Sequence, residues 1–135
     1  MGCTEIGCSD QLQVELGQIG SKFASALPLS ISVCVDQKGC EGFLLQAQGG
    51  MLQCGGSGGE TLGSCSIDPA GNVTASPGIG AGGLSAGSHE VEVILKDPNG
   101  MVVFDGTMQA TVKEVRPNGP DCPPVCLQGT ATFQA

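Results

Sequence analysis

His89-Glu90-Val91-Glu92-Val93-Ile94-Leu95-Lys96, followed by Asp97-Pro98-Asn99-Gly100, decides the fold class. His89, Val91, Val93 and Leu95 alternate with Glu90, Glu92 and Lys96, and strand side chains point to opposite faces in turn, so the stretch reads as a strand with one apolar face. Asp97-Pro98-Asn99-Gly100 then reverses the chain, because proline fixes φ and Asn-Gly admits the positive φ of a tight hairpin. Residues 101–104 return as a partner strand. A bulge or break is expected at Asp105-Gly106, before a further strand over 107–115 with Met108, Ala110 and Val112 on one face.

The same period of two recurs along the chain. In 11–17, Leu12, Val14 and Leu16 face one way; in 30–36, Ile31, Val33 and Val35 do, which leaves Cys34 on the other side. The turn Asp36-Gln37-Lys38-Gly39 leads into a strand over 42–48, with Phe43, Leu45 and Ala47 inward. Residues 49–63, mostly Gly, Ser and Gln around Met51, Leu52 and Cys54, read as a long loop. Strands over 64–68 and 72–76 flank the turn Asp68-Pro69-Ala70-Gly71, a second Gly-rich stretch covers 77–87, and a last short strand is expected over 130–134. No long segment has helical periodicity. Seven to nine short strands predict an all-β fold, an antiparallel β-sandwich of immunoglobulin-like architecture stapled by disulfides, with residues 1–135 forming a single domain. The buried tryptophan of immunoglobulin domains has no counterpart, since the chain contains no Trp.

Eight cysteines beside one histidine in 135 residues indicate a disulfide framework and an oxidising compartment, extracellular or at the cell surface. Residues 1–20 carry neither a basic n-region nor a continuous apolar run, so the export leader is expected to have been removed, with Met1 foreign to the mature chain. No window is long and apolar enough for a membrane span. A net charge of −8, with five basic residues scattered along the chain, opposes phosphate neutralisation and so argues against nucleic-acid partners. The absence of Trp and Tyr removes the usual stacking platforms and interface anchors.

Cys122-Pro123-Pro124-Val125-Cys126 constrains the pairing. If Pro-Pro adopts polyproline II at roughly 3.1 Å per residue, the two Cα atoms lie about 12 Å apart. A disulfide needs about 4.4–6.8 Å. Cys122 and Cys126 are therefore expected to reach elsewhere, and Cys3 and Cys8, similarly spaced, offer two matched partners. The remaining four allow three pairings. Closure of Cys34 with Cys40 across its own hairpin and of Cys54 with Cys65 across the Gly-rich loop is slightly preferred, and the crossed pairings stay open.

No catalytic, cofactor or metal site is expected. Zinc needs closely paired cysteines or histidines, and the permissible gap between Cys122 and Cys126 holds a stiff Pro-Pro that separates the ligands. His89, the sole histidine, is expected to pack or hydrogen-bond locally at a strand start. Glu90 and Glu92 read as a solvated strand face. Asp68-Pro69-Ala70-Gly71-Asn72 and Asp97-Pro98-Asn99-Gly100 could offer oxygens to calcium, yet neither matches the D-x-[DN]-x-[DN]-G loop and both are explained as turns. Asn72-Val73-Thr74 has the N-x-[ST] form of a glycosylation acceptor, and the Gly-rich stretches lack both phosphate-binding patterns.

Cys3-Thr4-Glu5-Ile6-Gly7-Cys8 and Arg116-Pro117-Asn118-Gly119-Pro120-Asp121-Cys122-Pro123-Pro124-Val125-Cys126 resemble the ends of cysteine-rich secreted or lipoprotein-like proteins of myxobacteria and related bacteria. The resemblance implies export and a β fold, and it supplies no active-site residue. The expected role is an extracellular or cell-surface structural or interaction module without catalytic activity, partnered by a protein or an extracellular polymer. A self-assembling surface fibre or sheath subunit joined by β-strand addition is the alternative, and a calcium-binding adhesion domain ranks below it.

Overall fold

The computed structural model describes residue 3 and residues 6–37, 39–56, 63–78 and 84–135. The described residues form nine strands in chain order: β1 (Gln11–Gly17), β2 (Leu29–Val35), β3 (Gly39–Gln48), β4 (Met51–Gly56), β5 (Ser64–Ile67), β6 (Val73–Ser76), β7 (Gly87–Lys96), β8 (Val102–Val115) and β9 (Cys126–Thr132). They form one sheet in the order β4-β3-β2-β7-β8-β9-β1-β6-β5. Strand β8 joins its two halves, pairing with β7 through Val102 to Val112 and with β9 at Lys113, Glu114 and Val115. The two ends of the order, β4 and β5, come to lie against each other, so the sheet curls into a near-closed barrel. It is a mixed barrel, because β1 and β9 run parallel from Gln11↔Gln128 to Glu15↔Thr132. The strand pattern predicts an antiparallel sandwich instead; local alternation carries no information about which distant strand becomes a neighbour, or in which direction.

The period-two reading of the faces holds where the core is. Leu12, Val14, Leu16, Ile31, Val33, Phe43, Leu45, Val91, Val93, Leu95, Ala110 and Val112 are all buried and pack as one cluster. Fully burying an aliphatic or Phe side chain contributes about 1.5–3 kcal/mol each, so alternation and stability share one cause. Two inward assignments fail. Ala47 is exposed beside the hairpin tip of β3 and β4. Met108 shares the face of Ala110 but remains 43 % exposed, where β8 is laddered on its β7 side alone.

Four further differences have local reasons. The expected loop over 49–63 contains β4, which ladders to β3 from Gln48↔Met51 to Phe43↔Gly56. Gly49 and Gly50 have φ of 60° and 80°, the left-handed pair of a two-residue hairpin, which lets the polar run return as a strand. The break expected at Asp105-Gly106 is absent and β8 is continuous; the irregularity in its ladder with β7 falls between Leu95 and Lys96. Gly106 has a packing role instead, since a Cβ there would come within 2.8 Å of the Phe104 ring. The last strand begins at Cys126 rather than at residue 130, because β8 pairs with Cys126, Leu127 and Gln128 before the parallel ladder with β1 takes over from Gln128. Between β1 and β2, which stand on opposite sides of the barrel, the chain forms a helical turn α1 (Ile19–Lys22) and a 3-10 turn (Ala24–Ala26), and Ile19 enters the core.

Candidate functional site

All eight cysteines are paired: two bridges join the terminal segments, one joins the two ends of the strand order, and one closes the β2–β3 hairpin. Cys3 joins Cys122 and Cys8 joins Cys126, with sequence separations of 119 and 118. The bridges run in the same direction as the parallel ladder, offset by one or two residues from its constant separation of 117. The terminal segments thus run side by side before they enter β1 and β9. Hydrogen bonds reinforce the staple: the Asn118 side chain accepts from Ile6 N–H (3.1 Å) and donates to the Ile6 carbonyl (2.9 Å), and Asp10 accepts from Leu127 N–H (2.9 Å). The Pro123-Pro124 peptide is cis. Cys122 and Cys126 face the N-terminal segment because Asn118 and β9 place them there.

Cys34 and Cys40 are facing residues of the β2–β3 ladder and close their own hairpin. Cys54 on β4 and Cys65 on β5 join the two ends of the nine-strand order.

One polar group is buried among the described residues. His89, 7 % exposed, shares the inward face of β7 with Val91, Val93 and Leu95. Its Nδ1 lies 2.6 Å from Asp36 Oδ2 and its Nε2 lies 2.6 Å from the Ser85 carbonyl oxygen. A carboxylate and a carbonyl both accept, so the site favours the ring with hydrogen on both nitrogens, the imidazolium form. Asp36 Oδ1 also accepts from Glu90 N–H (2.9 Å), and Asp36 N–H donates to the Glu90 carbonyl (2.8 Å). Asp36 and Gln37 both hold positive φ, of 52° and 58°, so the β2–β3 turn is fixed in a left-handed conformation and clipped onto β7. The Gln37 side chain completes the clip by donating to Glu90 Oε1 (2.9 Å).

Ser85, His89 and Asp36 carry the residue types of a nucleophile, a base and an orienting acid. Their geometry performs a different task. A general base needs a lone pair on the nitrogen that faces the nucleophile, and here Nε2 spends its hydrogen on the Ser85 carbonyl while Ser85 Oγ stands 3.4 Å away. The arrangement is a charged clasp tying the β2–β3 turn and the approach to β7 together. Local hydrogen bonding was the expectation from sequence; the Asp36 partner lies 53 residues away. The signal available was the polar ring on an otherwise apolar strand face, which requires buried partners without saying which.

The clasp gives a signed pH dependence. The hydrogen bond to Asp36, then that to the Ser85 carbonyl, hold the His89 imidazolium above its ordinary value of 6.5 against the opposing effect of burial. Its contribution is present in full below pH 6.5 and is lost as pH climbs through the raised folded value. A His89→Gln variant should be less stable than wild type by about 1–3 kcal/mol in mildly acid solution, as expected for charge-assisted buried hydrogen bonds, with the gap closing at alkaline pH. Denaturant titrations of both proteins across that range check this; parallel pH profiles would contradict the clasp.

The two Asp-Pro turns keep their carboxylates for themselves. Asp68 accepts from the Ala70 and Asn72 amides (2.9 Å each) and from the Asn72 side chain (3.0 Å), which holds its carboxyl below the usual range, the Asn72 side chain contributing most. Asp97 Oδ1 accepts from Asn99 and Met101 (2.9 Å each). The Asn72 amide of the N-x-[ST] sequence is thereby engaged with Asp68. Among the described residues no group of three or more His, Cys, Asp or Glu could hold a metal ion. No described helix is long and apolar enough to cross a membrane.

Fold and site define a class: a disulfide-framed, near-closed mixed β-barrel with a buried His89–Asp36 pair at the end of its core. Comparisons with family models, curated proteins and solved structures find no match to this chain.

Proposed function

We propose that this domain is an extracellular or cell-surface structural or interaction module that acts without catalysis, on a protein or extracellular polymer. The single observation that carries the reading is the pairing of all eight cysteines in a frame that ties both ends and both sheet edges, which calls for an oxidising compartment. The role of His89 as a doubly donating clasp, rather than a base, supports the non-catalytic part. The resemblance of the two cysteine-bearing ends to secreted or lipoprotein-like myxobacterial proteins agrees with it. An immunoglobulin-like architecture is also part of the proposal, supported by the two halves of the strand order, joined through β8, that enclose one core.

The second reading, a surface-fibre or sheath subunit joined by β-strand addition, is favoured by β8, along much of which only the β7 side is laddered. The calcium-binding adhesion reading has no comparable support, since Asp68 and Asp97 already accept from their own turns. Fractionation of cells making the native protein, with thiol alkylation before lysis, tests the first reading. The protein is expected in the surface or medium fraction with no cysteine alkylated. Recovery from the cytosol with free thiols would overturn it.

A further inference from the structure

The two ends of the sheet are unevenly joined. Strand β4 ladders to β3 and strand β5 ladders to β6, but β4 and β5 share no ladder although they lie against each other. Leu52 and Cys54 from β4 and Cys65 and Ile67 from β5 are partly buried against the core, so the seam closes through side chains and one covalent bond. The Gly63 N–H, just ahead of β5, also donates to Glu41 of β3 (2.8 Å). Each seam edge therefore keeps backbone donors and acceptors that no strand pairs, the feature that templates strand addition. The two edges run antiparallel, as successive pairings around the sheet require, so each is directionally suited to the other.

We propose that β4 and β5 form an exchangeable pair: the Cys54–Cys65 bridge closes them within one chain, and where a small-molecule dithiol opens that bridge by thiol–disulfide exchange, leaving as its own disulfide, the same edges join a second copy of the chain. The partner is a second copy because the sequence that covers each edge is already specified by this chain. Two copies exchanging β4 with β5 in both directions cover all four edges and preserve the contacts of Leu52 and Ile67, giving a closed two-fold dimer. This deepens the reading of the domain as an interaction module by naming its partner. Its test uses purified protein alone, so failure here leaves the compartment and the module role to the fractionation experiment.

Cys54→Ser and Cys65→Ser single variants, each retaining the other three bridges, are mixed in oxidised glutathione. An aligned seam brings Cys65 of the first variant to Cys54 of the second. The two thiols form one S–S bond and give their two electrons and two protons to glutathione disulfide, which leaves as two thiols. The expected product is the heterodimer, in roughly tenfold or greater excess over either homodimer, because alignment raises the effective thiol concentration. A heterodimer share no larger than random thiol pairing, which unfolded chains would also give, overturns the proposal. The Cys54→Ser/Cys65→Ser double variant gives a second reading that needs no cross-link. Light scattering alongside circular dichroism should find a folded dimer at concentrations where wild type is monomeric, and a monomer would overturn the proposal.

Discussion

A variant with serine at Cys3, Cys8, Cys122 and Cys126 is expected to melt roughly 15–25 °C below wild type while keeping its strand content, from a loss of about 5 kcal/mol. The bridges close loops with separations of 119 and 118 residues. Restraining an unfolded chain over a loop of that length is worth about 4–5 kcal/mol, and the second, nested bridge adds less because the first has already brought the ends together. The native state also loses something specific. Without the staples, the Asn118 contacts to Ile6 and the Asp10 contact to Leu127 must hold the terminal segments alone, and both are exposed. The parallel ladder from Gln11 to Glu15 remains, which is why secondary structure should survive at low temperature. Calorimetry of both proteins without reductant measures the difference, and coincident transitions would show that the staples are ornamental.

The strand faces were readable because burial and alternation are the same fact in a half-buried strand. Leu12, Val14 and Leu16, or Val91, Val93 and Leu95, could adopt no other arrangement without exposing a whole face. Strand β4 was hidden by composition: Gly, Ser and Gln outweighed the Gly49-Gly50 pair, which is itself a hairpin signal. Nothing local marks β1 as the parallel neighbour of β9, since that pairing joins positions 117 residues apart. The terminal cysteine geometry shows how a correct destination can have the wrong route. The bridges between the two ends run with the parallel β1–β9 ladder, a neighbour relation that the local spacing of Cys122 and Cys126 does not contain. For His89, alternation placed the ring inward, but selecting Asp36 as its partner required the β2–β3 turn to fold onto β7.

The core burial of this barrel is largely cancelled by the entropy of ordering the chain, and the four bridges supply the margin that remains. Its interior is built from Val, Leu, Ile, Ala and Phe, with no Trp or Tyr and only four Phe in the chain. A domain is typically stable by about 5–15 kcal/mol in total, and a native bridge in a small secreted domain contributes about 2–5. Opening four exhausts that margin. The direct measurement is a circular-dichroism melt of the native protein and of the same protein in excess phosphine reductant, with complete reduction confirmed by mass. The native sample should show one cooperative transition, and the reduced sample should have lost its strand signal with no transition to follow. A fully reduced chain that melts cooperatively at the native temperature would contradict the account.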